Sequence, residues 1–338
     1  MGKVQIKAFI LPKEGAMELC QDSMAINLAN GRFAVADGVS NSYHPELVSR
    51  LLCKQFVCSN TLLWGTEDSL AQESAKDLSA QWNKEVADYE STLSGRRLQH
   101  AIMKRETFKH GASTFAGVQL DFKNNLINYQ ILGDSPLITI DSFGNVSAIT
   151  SHNTDSSTLE LHFDNHPHFI RSDGKQWGKC AIGQSELHHG FVILMTDGCA
   201  EWFTTAYEKN QNVVNQLWTF EDNRNFEEMA ADCRKAGKMD DDLAILMLKI
   251  DESWDGSYEV KYFPQNISCA LMIENTNKET NIAQKKEVDT SLEREGEDTE
   301  GMTKDKDEDR TSYTCNALAI ISKNNPVINF ENLITFNQ

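Results

Sequence analysis

Apolar residues in this chain come in short runs, most of them bounded by a turn. Phe33-Ala34-Val35-Ala36 stops at Asp37-Gly38, residues 126–132 run into Gly133-Asp134-Ser135, and residues 191–195 stop at Thr196-Asp197-Gly198. Residues 113–122 alternate in part, residues 137–140 lead into Asp141-Ser142-Phe143-Gly144-Asn145, and residues 243–250 follow Asp240-Asp241-Asp242 directly. Runs of this length between Gly, Asp and Ser predict strands. A longer period governs the stretches between them. Residues 45–64 open on Pro-Glu and carry Leu47, Leu51, Leu52, Phe56 and Leu62 near helical spacing. Residues 68–89 and 91–109 predict two more helices, and residues 200–217 a weaker one, with Trp202 and Phe203 on its core-facing side. Helices clustered between strand pairs predict a layered α+β domain over residues 1–250.

Beyond residue 250 the pattern fades. Residues 251–273 read as an acidic connector. Between Glu274 and Arg310 there are 13 Asp/Glu, 7 Lys/Arg and few apolar residues. Such a composition buries too little surface to offset its ordering entropy, so 274–312 reads as a disordered, low-complexity segment. Residues 313–338 form a short apolar C-terminal segment that docks on the domain or on a partner.

Charge changes the picture next. The 338 residues carry 50 Asp/Glu against 32 Lys/Arg, a formal net charge of −18. Phosphate backbones and anionic membranes repel such a chain, so nucleic acid and membrane are excluded as main partners, whereas a divalent cation is a fitting companion. No apolar stretch approaches the roughly 18 residues of a membrane-spanning helix, and the N-terminal residues do not form a secretory signal. The eight cysteines have no CxxC pair, which reads as reduced thiols in a cytoplasmic protein.

The chemistry sits where strand patterns meet aspartate. Asp37, Asp134 and Asp197 each adjoin a glycine at the end of an apolar run, and Asp241 precedes another run. Glycine permits the tight turn that presents such a carboxylate. Several carboxylates at neighbouring strand ends repel one another unless a cation lies between them. All-oxygen ligands suit Mg²⁺ or Mn²⁺, and no His/Cys spacing suits Zn²⁺.

In order, Gln21-Asp22, Asp37-Gly38, Ala112-Ser113-Thr114, Gly133-Asp134-Ser135, Thr196-Asp197-Gly198 and Asp241-Asp242 resemble the motifs of the metal-dependent PP2C (PPM) protein phosphatases, in particular their compact bacterial-type branch. The resemblance spans roughly residues 5–250. It implies a PP2C-like α-β-β-α sandwich: two antiparallel sheets packed face to face and flanked by helices. It also implies a binuclear Mn²⁺ or Mg²⁺ centre, with room for a third ion, at which an activated water hydrolyses phosphoserine or phosphothreonine. By position, Asp37 would bridge two metals and Gly38 would offer its carbonyl. Asp197 and Asp241 would complete the shell of one metal, Asp134 would bind a third, and Asp22 would hold metal-bound waters. A phosphorylated protein is the implied substrate, a Ser/Thr kinase the implied antagonist, and a monomer the implied state.

The chain departs from the pattern at several places. Met17 stands where many members carry a phosphate-gripping Arg. Lys13 is a nearby point charge, but it lacks the bidentate fork. The loop after Asp37-Gly38 reads Val39-Ser40-Asn41-Ser42-Tyr43-His44, which leaves His44 as a candidate general acid. Ala112 replaces a Gly, and Asp242 replaces the usual Asn. Strict strand alternation would put Asp240 and Asp242 on one face and Asp241 on the other. The alternative reading is a catalytically weak pseudophosphatase that binds a phosphoprotein or regulatory partner.

Overall fold

The computed structural model describes residues 2–274, except 14, 66–68, 154–158, 160, 162, 164–166 and 253. Past residue 274, the segments 274–312 and 313–338 lie outside the described residues. The chain begins with β1 (Gly2–Leu11), a 3₁₀ turn (Met17–Leu19), β2 (Ser23–Asn27) and β3 (Arg32–Ala36). Three helices follow: α1 (Pro45–Cys58), α2 (Gln72–Ser91) and α3 (Gly95–Phe108). Next come β4 (Ala112–Ser113), β5 (Phe115–Asp121), β6 (Leu126–Leu132), β7 (Leu137–Asp141), β8 (Val146–Ile149), β9 (Phe169–Arg171), β10 (Gln176–Trp177), β11 (Ala181–Glu186) and β12 (Gly190–Met195). Helices α4 (Asp197–Lys209), α5 (Val213–Thr219) and α6 (Asn223–Lys235) lead to β13 (Leu243–Ile250), β14 (Trp254–Tyr262) and β15 (Ala270–Ile273).

One six-stranded sheet runs β14-β1-β13-β12-β7-β8, and the other runs β11-β6-β5-β3-β2-β15. A small three-stranded sheet, β10-β9-β4, lies beside them in the topology. Side-chain alternation assigns the layers. Val4, Ile6, Ala8 and Ile10 of β1 share a core with Phe33 and Val35 of β3, Val118 of β5 and Leu246 of β13. That core lies between the sheets. The opposite face of the first sheet, through Phe9, Ile193 and Met247, packs on Phe203, Leu217 and Phe226 of α4, α5 and α6. The opposite face of the second sheet, through Ala34, Ala36 and Phe115, packs on Leu52 and Phe56 of α1 and Trp82 of α2. Strands covered on both faces read as unbroken apolar runs, which is why β3, β12 and β13 stand out in the sequence. The architecture is α+β, two sheets between helical layers.

Two features differ from the sequence reading. The sheets are not wholly antiparallel: β14 pairs in parallel with β1, and β15 in parallel with β2. The stretch read as an acidic connector supplies both of these edge strands, so the fold continues past residue 250. Phe263 and Cys269 from this stretch are buried in the core between the sheets. Among the described residues the seven cysteines form no disulfide. Among the described residues no helix is long and apolar enough to cross a membrane.

Candidate metal centre

Strand register brings the aspartates to one end of the sandwich. In the second sheet Ser23 pairs with Ala36, Val35 with Ala116, and Phe115 with Leu132. The start of β2 therefore lies level with the ends of β3 and β6, and Asp22, Asp37 and Asp134 project from one edge. In the first sheet Met195 pairs with Ile245, so the end of β12 adjoins the start of β13, together with Asp197 and Asp241. A bond from Thr196 Oγ1 to Asp22 Oδ2, 2.7 Å, ties the two edges together.

Each carboxylate is fixed by its backbone. The Asp37 carbonyl accepts from Thr114 N at 2.8 Å and from Ser113 Oγ at 2.7 Å. Its N–H donates to Thr114 Oγ1, and Thr114 Oγ1 lies 2.9 Å from Ser135 Oγ. Gly38 is a steric necessity. A Cβ there would come within 2.8 Å of Pro45 Cβ and 2.9 Å of the Gln21 carbonyl oxygen. Gly133 has φ +104° and leaves no space for a side chain against Thr114 and the His168 carbonyl. Asp197 opens α4, where the helix dipole favours an anion, and its Oδ1 accepts from Gly198 N at 2.6 Å.

Carboxylate oxygens of Asp37, Asp134 and Asp197 all lie within 4.8 Å of one another. Asp134 is only 2% exposed and Asp22 only 1%. Burial pushes Asp37 well above the ordinary carboxylate range, with Asp197 and Asp22 adding repulsion. Burial also raises Asp22, reinforced by Asp242 and opposed by the Thr196 bond. Burial, then Asp241, pushes Asp197 up to about 6. Three such groups hold their negative charge together only when protons or a cation compensate. An all-carboxylate donor set fits a hard divalent cation, Mg²⁺ or Mn²⁺.

The remaining sequence candidates fall in different places. Asp241 lies beside Asp197 but outside the set of three. Its Oδ1 accepts from Asp242 N at 2.8 Å, and burial raises its pKa. The strand-alternation argument for the three aspartates does not apply, because they precede β13: Asp240 is exposed while Asp242 is buried. Asp242 clasps the β1–β2 loop, accepting from Lys13 N and, at 2.7 Å, from Gln21 N. The Lys13 ammonium sits 3.8 Å from Asp240. His44 precedes α1 with φ 52°, its Nδ1 2.6 Å from Glu46 Oε1 and its ring edge-on to Tyr43 and Tyr89. Met17 packs on the core between the sheets. Phe203 is buried as expected, but Trp202 is only half-buried and lines a cleft next to Asp197. The sequence reading gave no role to Thr196 or to Asp242 as a clasp. Their only signal was adjacency to Asp197 and Asp241.

The chain matches the sequence model of a family described as Protein phosphatase 2C over residues 14–244. No curated protein sequence matches it significantly. Among solved structures it is similar to the Mycobacterium tuberculosis serine/threonine phosphatase PstP/Ppp, with 13% identity, a TM-score of 0.46, and coverage of 74% of this chain and 99% of that one. It is similar to serine/threonine phosphatase Stp1 from Staphylococcus aureus, with 13% identity, a TM-score of 0.43, and coverage of 74% and 96%. A structure of the PstP catalytic domain in complex with two manganese ions has 13% identity, a TM-score of 0.44, and coverage of 74% and 99%.

Proposed function

The chain belongs to the protein phosphatase 2C family, and from that premise we propose that it hydrolyses phosphoserine and phosphothreonine in proteins at the Asp37, Asp134 and Asp197 end of the sandwich. The observation that supports this most directly is the convergence of those three carboxylates within 4.8 Å. Mn²⁺ or Mg²⁺, as two or three ions, would supply positive charge for the phosphoryl oxygens and lower the pKa of a coordinated water when bound. Asp37 would be shared between ions, and Gly38 would contribute its carbonyl. Asp197 and Asp241, flanking the β12–β13 edge, would hold one ion, and Asp134 a further one. Asp22 keeps its carboxylate oriented through Thr196 and would position coordinated water. Lys13 lies 3.8 Å from Asp240 and His44 2.6 Å from Glu46, and neither is given a role in the proposed reaction. A Ser/Thr kinase that installs the phosphate is the opposing partner this reading implies.

The test is Mn²⁺-dependent hydrolysis of p-nitrophenyl phosphate and of a phosphothreonine peptide by the full chain. Asp37→Asn and Asp197→Asn should each abolish most of the rate and weaken Mn²⁺ binding by calorimetry. Activity that survives both substitutions, or that ignores Mn²⁺ and Mg²⁺, would sink the reading. One observation favours the pseudophosphatase alternative: Met17, at the position where many relatives carry a phosphate-gripping Arg, is spent on packing. That alternative requires phosphopeptide binding with no metal-dependent turnover.

A further inference from the structure

Beside the aspartates is a cleft of about 280 Å³ between the first turns of α4 and the loop before β13. Asp197 and Asp241 line it, together with Glu201, Trp202, Lys238 and Asp240 among others. Pockets that enclose whole small-molecule ligands run from roughly 300 to 1,000 Å³. This one suits a single amino-acid side chain, and it opens directly onto the proposed reaction centre.

Its chemistry selects the charge of that side chain. Trp202 is half-buried and, like Cys233 of α6, packs against the outer core of the first sheet. Its ring forms part of the wall of the cleft. Glu201 lies one helical turn beyond Asp197 and is exposed. The Asp240 side chain is 82% exposed and meets only a distant Lys13 at 3.8 Å. Four carboxylates line the cleft against Lys238, with Lys13 3.8 Å from Asp240, so a second phosphate or an acidic side chain is disfavoured. Once Asp197 and Asp241 serve metal ions, Glu201 and Asp240 beside the Trp202 indole remain. A planar guanidinium satisfies both features, stacking on the ring and presenting its fork to a carboxylate.

We propose that this cleft is a specificity subsite that receives an arginine side chain near the phosphorylated residue of the substrate, with Trp202 stacking on the guanidinium and Glu201 pairing with it. The proposal rests on the phosphatase reading and narrows its substrates to phosphoserine and phosphothreonine sites with a neighbouring arginine.

The experiment uses the full chain with Mn²⁺ and a panel of phosphothreonine peptides. Arg, Leu, Ala or Glu is placed in turn at each of the three positions on either side of the phosphoresidue. At one position Arg should raise kcat/KM over Ala by about tenfold, the scale of a partly desolvated cation–aromatic contact, and Glu should lower it. Glu201→Lys should reverse the Arg-over-Glu order, and Trp202→Leu should shrink the Arg advantage. Ratios between peptides cancel any general loss of folded enzyme. Calorimetric binding of the Arg and Ala peptides gives the same comparison without turnover. Equal treatment of Arg and Ala at every position, a preference for Leu, or an Arg/Glu ratio unchanged by Glu201→Lys would overturn the subsite. Turnover of p-nitrophenyl phosphate by the unmodified chain separates the two claims. If it is hydrolysed and arginine is ignored, only the subsite falls. If it is not hydrolysed, the phosphatase reading falls first.

Discussion

Thr196 joins the two sheets through one hydroxyl. Its Oγ1 donates to Asp22 Oδ2 at 2.7 Å and accepts from Ala244 N at 2.9 Å, and the residue is fully buried. Thr196→Val keeps the shape and removes both bonds. The Ala244 N–H then has no side-chain acceptor in a dry environment, which costs about 1–3 kcal/mol. Asp22 loses a donor at a site where burial already disfavours its charge, a further loss of roughly 1–2 kcal/mol. The expected total of about 3 kcal/mol lowers the melting temperature by roughly 6–12 °C for a domain of this size. Urea denaturation with and without Mn²⁺ measures it. Thr196→Ser is the control, because it keeps the hydroxyl and loses one buried methyl, worth about 1 kcal/mol. A Thr196→Val protein as stable as the Ser variant would refute the bridging argument. So would Mn²⁺ affinity unchanged by the loss of Asp22's donor.

Other expectations follow from the same geometry. Gly38→Ala should destabilise the fold and weaken Mn²⁺ binding, because its Cβ meets Pro45 and the Gln21 carbonyl below 3 Å; a wild-type melting curve would contradict this. A chain ending at residue 250 should fail to fold cooperatively, whereas one ending at residue 276 should fold. Circular dichroism melts compare them, and a cooperative transition in the shorter chain would show that β14 and β15 are dispensable. In the chelated protein Asp197 has a pKa of about 6 in the folded state against roughly 3.9 unfolded. A raised acid stabilises fully below the unfolded value and loses that contribution as pH rises through about 6. Metal-free stability should therefore fall by on the order of 1–2 kcal/mol between pH 5 and 7.5, while stabilisation by added Mn²⁺ should grow, since bound carboxylates must be ionised. Metal-free stability that rises across that window would contradict the assignment.

The strands that carry the centre were legible because burial on both faces makes them apolar throughout, as in 191–195 and 243–250. The aspartate-glycine turns after them were legible because a sheet end must turn where the apolar run stops. Strand β1 was harder to see. Its Lys7 is half-buried yet satisfied, with Nζ 2.6 Å from both the Trp218 and Phe220 carbonyls; only the fold supplies those acceptors. Strands β14 and β15 sit at sheet edges and pair in parallel with the start of the chain, so nothing local encodes their partners. Helix α6 hides for a related reason: Phe226 and Ala230 are its only buried positions. Which of Asp240, Asp241 and Asp242 faces the centre was not decidable from period, because the turn before β13 has none.

The place of β1 has a consequence for how the protein is made. β1 pairs with β13 on one side and β14 on the other, so the first strand of this fold to be synthesised occupies the interior of its sheet. Its antiparallel partner begins at Leu243, more than two hundred residues later. At about 5–20 residues per second, that interval is roughly 12–50 s of synthesis. Throughout it β1 has neither of its ladder partners, and Val4, Ile6, Phe9 and Ile10 lie on an unpaired strand. Non-local pairing of this kind folds slowly. During its synthesis the phosphatase thus carries an apolar strand that lacks its sheet neighbours, and a holdase that masks it should raise the yield of folded protein.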